Sequence, residues 1–126
     1  MLEHEHWIQF AKTDLRVAMI LLHSDEPTIG PILYHSQQCA EKALKAFLVY
    51  KEQDLVKIHD LSQLLKLCSK IDSTFLELRP NAIELTPYAH KTRYPDSCYI
   101  MPDLSIAHDA VEQAETILAF VENKTS

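Results

Sequence analysis

Three observations predict an all-α protein, an antiparallel four-helix up-and-down bundle with one short additional helix. Apolar residues recur at three- and four-residue spacing through most of the 126 residues. No segment alternates apolar and polar residues between turn signals, as a half-buried strand would. The connections between the periodic segments are of modest length, which brings successive helices back alongside one another. With 47% hydrophobic and 24% charged residues, the composition is that of an ordinary globular chain. A single domain over residues 1–126, with its core about 5–122, is expected.

The first helix is expected over residues 5–23. Trp7, Ala11, Leu15, Ala18 and Leu22 form its stripe, and Phe10, Val17 and Leu21 widen it. Asp14 falls inside that apolar arc. Pro27 disfavours helical geometry in the residue before it and ends the segment. The second helix, residues 29–53, opens with Gly30 and Pro31, where a missing amide hydrogen does no harm. At roughly 100° per residue, Leu33, Ala40, Leu44 and Phe47 share one arc, and Gln37 lies within it. His35, Gln38, Lys42 and Lys45 share the opposite face, expected to meet water, a partner or a ligand.

Residues 54–59 link to a short helix over 60–71, opened by Asp60 with Gln63 as a capping box and carrying Leu61, Leu64, Leu65 and Cys68 inward. Thr74 with Glu77 offers a second capping box. Phe75, Leu78, Ala82, Leu85 and Ala89 then keep one register through Pro80 and Pro87, which predicts a kinked helix or two short ones with Thr86 capping the second. Arg93-Tyr94-Pro95-Asp96 closes this run, and residues 97–101 connect. The last helix, from Pro102-Asp103 to about Glu122, turns Ala107, Val111, Ala114, Leu118 and Val121 inward, and residues 123–126 are expected to fray.

The formal net charge of −6 argues against a surface built for sequence-independent nucleic-acid binding. Charge is unevenly spread, however. Residues 42–93 hold nine basic and six acidic side chains, and the rest of the chain holds three basic and twelve acidic ones. An anionic ligand would be drawn to the middle of the chain and a basic partner to the end helices. The longest apolar run, Val17 to Leu22, is far short of the roughly twenty residues that span a bilayer, and the N-terminus has no basic signal-peptide opening. A cytoplasmic protein with no membrane contact is expected. Three scattered cysteines, Cys39, Cys68 and Cys98, support neither a disulfide framework nor a zinc site. One glycine excludes a P-loop or dinucleotide fingerprint, and neither a G-x-S-x-G nor an H-E-x-x-H motif is present. No metal or cofactor is expected: His4 and His6 lack a third ligand.

A carboxylate and an amide in core-facing arcs must find hydrogen-bond partners. Asp14 and Gln37 are therefore expected in a buried polar network, with Arg93, Tyr88 and Lys42 as partners. His35, Gln38, Lys42 and Lys45, with Arg93, are the candidate nucleotide- or anion-binding residues. The alternatives are a register-fixing polar cluster and an ordinary solvated face. Arg16 and His23, seven apart, share a helix face.

Asp14-Leu15, His35-x-Gln37-Gln38-x-x-Glu41-Lys42-x-Leu44-Lys45-Ala46, His59-Asp60-Leu61, and Tyr88 with Arg93-Tyr94-Pro95-Asp96 together resemble the HEPN family, the higher-eukaryote and prokaryote nucleotide-binding domain. The resemblance implies a helical bundle that is usually a homodimer, often paired with a minimal nucleotidyltransferase in a toxin-antitoxin-like module, and able to bind nucleotide or RNA. Many relatives are metal-independent ribonucleases whose late arginine is followed, four to six residues on, by a histidine. Here the late arginine is Arg93, and positions 98–100 are Cys98, Tyr99 and Ile100. The histidine is missing, and Arg16 with His23 lies in the wrong helix to replace it. Two alternatives stay open: an RNA endonuclease using a non-standard pair such as Arg93 and His90, and a dimeric scaffold that binds no nucleotide.

Overall fold

Among the described residues the three-and-four periodicity becomes five α-helices. The computed structural model describes residues 2–54, 57–89 and 103–126, and no strand occurs among them. Helix α1 spans Glu3–Leu22, α2 Ile29–Tyr50, α3 Leu61–Ile71, α4 Arg79–Leu85 and α5 Leu104–Thr125. Short 3-10 segments, Ser73–Leu78 and Thr86–Ala89, flank α4. The bundle consists of α1, α2, α5 and the broken run from Ser73 to Ala89, with α3 as the short additional helix.

Helix α2 is the centre, packing against α1, α5 and α3. From Ser36 to Leu48 nearly every side chain is buried, whichever way it points. Small residues permit this: Ala11 and Ala18 on α1, and Ser36, Cys39 and Ala43 on α2, are fully buried, so the two backbones approach closely. On another side of α2 the Phe47 ring lies 4.3 Å from that of Phe75, which meets Phe120 edge-on at 4.9 Å. These three rings join α2, the first 3-10 segment and α5. Burying each such side chain contributes about 1.5–3 kcal/mol.

The expected inward residues of α3, α4 and α5 are buried. On α1, by contrast, Phe10 is 52% exposed and does not widen the core stripe. It points to the outer side with Ile20, 63% exposed. Asp60 caps α3, accepting from the Ser62 amide at 2.9 Å. The second expected cap is displaced by two residues. Asp72, not Thr74, is the acceptor, taking the Thr74 amide at 3.0 Å and its hydroxyl at 2.6 Å. A carboxylate in extended geometry is the better cap of the two. Thr86 does not cap a second helix: it closes α4 as its C-cap, with its amide and its hydroxyl (2.7 Å) both donating back to the Ala82 carbonyl. Pro80 falls in the first turn of α4, where it needs no donor, so the run is broken into three pieces rather than kinked.

Helix α2 stops at Tyr50, short of Gln53. Glu52 takes a left-handed conformation (φ 58°), its amide donates to the Val49 carbonyl, and that of Gln53 donates to Leu48. This is a Schellman closure. The C-terminus does not fray. Helix α5 runs to Thr125, and Lys124 Nζ lies 2.9 Å from Asp72 Oδ2. Gln113 on α5 bonds both Asn81 and Glu84 and ties α4 to α5.

Candidate functional site on the central helix

Two carboxylates organise the polar groups of α2. Asp14, buried on α1, reaches the α2 face that bears His35 and Lys42. Its Oδ1 lies 2.8 Å from His35 Nδ1 and its Oδ2 2.6 Å from Lys42 Nζ. Both partners are half-buried. A carboxylate accepts, so His35 donates from Nδ1 and turns Nε2 away as the ring's other functional nitrogen. The Tyr34 ring stands edge-on to His35 at 5.4 Å. Burial, reinforced by the charge on Asp14 and opposed by Lys42, pushes the Cys39 thiol up to about 12.

The second carboxylate is Glu41. Its Oε2 accepts from Lys45 Nζ at 3.1 Å and faces His59 Nδ1 at 3.1 Å, while Oε1 accepts from Gln37 at 3.4 Å. Gln37 in turn accepts from Gln38 at 2.9 Å. Lys45 Nζ sits 5.7 Å from the centre of the Trp7 ring, so an indole covers the ammonium. His59 is supplied by the connection before α3 and is largely exposed.

Asp14 and Lys42 pair as expected, but Asp14 and Gln37 belong to different clusters, with no hydrogen bond joining these two sets among the described residues. Tyr88 is partly buried against the apolar core. The α2 face expected to meet water, a partner or a ligand is only partly accessible: His35 and Lys42 are half-buried, Lys45 is 6% exposed, and α1 covers that side of the helix with Asp14 and Trp7. Arg93 and His90 lie outside the described residues. Glu41 and His59 were missed as a pair. A signal was present: Gln37, Glu41 and Lys45 form a polar row at four-residue spacing, which makes them neighbours along one side of a helix. Among the described residues no three histidine, cysteine, aspartate or glutamate side chains converge as a metal cage. No helix described is long and apolar enough to cross a membrane.

The family model for the HEPN domain matches residues 4–124. The chain belongs to the HEPN family. The crystal structure of TT1696 from Thermus thermophilus is similar to this HEPN chain at 30% identity and a TM-score of 0.85, over 98% of this chain and 99% of that one. A second similar structure is ST0689, an archaeal HEPN homologue, at 26% identity and a TM-score of 0.79, over the full length of both chains. No curated protein matches at a significant level.

Proposed function

We propose that this HEPN protein is a dimerising module that pairs with a minimal nucleotidyltransferase in a toxin-antitoxin-like system, rather than a nuclease. The observation that carries this reading is the outer side of α1. Phe10, Thr13, Val17 and Ile20 recur there at three- and four-residue spacing with no charge among them, and Phe10 and Ile20 are more than half exposed. An uncharged stripe on the outside of a charged protein is the pattern of a helix that expects another helix. The acidic first turn, Glu3 and Glu5, and the exposed Arg16 further on favour a second copy running antiparallel.

Nucleotide or RNA contact, in the same reading, falls to the half-exposed edge of the Asp14 cluster: His35 and Lys42, with Gln38 beside them. Arg93, outside the described residues, is the remaining candidate from the sequence. Lys45 supports the scaffold from within. Asp14 already balances the charge of Lys42.

Light scattering after size exclusion tests the dimer, with twice the 14.5 kDa protomer mass expected. Phe10→Glu with Ile20→Glu should return it to the protomer mass without loss of helicity. If a minimal nucleotidyltransferase is encoded beside it, co-expression of the two should give a complex. A monomer that never co-purifies with that enzyme sinks the reading. RNA cleavage independent of metal and lost in Arg93→Ala would replace it with the endonuclease.

A further inference from the structure

An open groove of about 470 Å³ runs between α3 and α4. Its floor is aliphatic, formed by the buried Leu65 and Ala82. Its rim carries two large apolar side chains that the fold leaves in water, Leu76 at 55% and Ile83 at 59% exposed. Beside them stand Lys66 and Arg79, both exposed. Neither cation makes an ion pair with a described residue. Among the described residues no carboxylate lines the groove, in a chain whose net charge is −6. The groove therefore inverts the average character of the surface in both respects, apolar where the surface is polar and positive where it is negative.

The lining identifies the class of occupant. A flat aromatic ligand stacks best on aromatic rings, and among the described residues none lines the groove, whose floor is Leu65 and Ala82 and whose one guanidinium, Arg79, stands exposed beside the rim. A groove between two helices, with Leu65, Ala82, Leu76 and Ile83 as its apolar surface and Ser62 and Ser69 beside them, suits a third helix laying its apolar stripe into it. The two uncommitted cations then call for carboxylates on the flanks of that stripe. We propose that the α3/α4 groove docks an acidic amphipathic helix of a partner protein. Leucine-type side chains of the partner fill the trough over Leu65 and Ala82 between Leu76 and Ile83, and its glutamates or aspartates meet Lys66 and Arg79. The groove shares no residue with the Asp14 and Glu41 clusters or with the outer stripe of α1, so the proposal stands independently of the dimer reading.

The test is an amide chemical-shift titration of the full chain with a stapled synthetic helix bearing leucines at i, i+4 and i+7 flanked by glutamates. The same peptide with lysines in place of the glutamates, and AMP, serve as comparison ligands. Saturable shifts confined to α3, α4 and the segment between them are expected with the acidic peptide. Lys66→Glu with Arg79→Glu should weaken binding about tenfold or more, since rim charges of reversed sign now repel. Leu76→Ser with Ile83→Ser, both exposed and harmless to the core, should weaken it comparably. Equal binding of the lysine peptide, shifts centred elsewhere, the same shifts from AMP, concentration-dependent self-association through these amides, or indifference to both double variants would each overturn the proposal.

Discussion

Replacing Lys45 by methionine removes one charge from a buried pair while keeping most of the side-chain volume. Lys45 and Glu41 have side chains 8% and 4% exposed, 3.1 Å apart. Breaking a buried pair from one side costs about 3–5 kcal/mol, because the remaining charge loses its partner and cannot recover its water. Glu41 keeps His59 and Gln37, so the lower end, about 3 kcal/mol, applies. At about 2.1 cal/mol/K per residue, 126 residues unfold with an entropy near 0.26 kcal/mol/K, so Tm should fall by about 11 °C. Calorimetry and urea unfolding at neutral pH measure this. Trp7 emission adds a local probe, since the indole loses the ammonium above it. In Glu41→Leu/Lys45→Met both charges are gone, and most of the loss should be regained, with a remainder of about 1 kcal/mol from the partners of Glu41. A Lys45→Met loss under about 1 kcal/mol, or two single losses that add in the double variant, would refute the view that this pair is sealed from solvent.

Further outcomes are expected elsewhere. Hydrogen bonds from the Thr74 hydroxyl, Lys124 and the Thr74 amide hold the Asp72 carboxyl down at about 2. A depressed folded-state value stabilises the native form above the unfolded value of about 3.9 and is lost as pH falls from there through about 2. Wild type should therefore lose more stability than Asp72→Asn between these limits in acid unfolding, and parallel curves would deny the linkage. Burial pushes the Cys68 thiol up to about 12, as it does Cys39. Iodoacetamide at mildly alkaline pH should leave both unmodified in the native protein and alkylate both in guanidinium, read by peptide mass spectrometry. Phe75→Ala removes the middle ring of the Phe47–Phe75–Phe120 stack and should cost about 3–5 kcal/mol by urea unfolding.

The helices were legible because burial on one side writes a period into the sequence, and the stripes of α3 and α5 carry that period cleanly. Asp14 and Gln37 stood out for the same reason, as polar residues inside apolar arcs. The failures have one cause in common. A period reports how one helix meets its surroundings on average, but it does not say how many neighbours the helix has. Helix α2 has neighbours on several sides, so on the face expected to meet water, a partner or a ligand Lys45 is buried beneath α1 and Lys42 is half-buried against Asp14. On α1 the error ran the other way: Phe10 counted toward the core because it is apolar, although it lies on the outer side. The caps at Asp72 and Thr86 were misplaced because several residues nearby had suitable side chains, and only the backbone geometry chooses among them.

The left-handed turn at Glu52 acts as a ruler for the chain beyond it. The protein's one glycine, Gly30, is spent inside the first turn of α2, so the reversal at the other end falls to a residue with a full side chain. That reversal sends the chain back along the helix it has just left, and His59 returns beside Glu41, more than two turns before the stop. Adding one residue to α2 would rotate the exit by about 100° and aim the returning segment away from Glu41. The phase of a helix end therefore decides whether the buried carboxylate has an outward-facing imidazole at all.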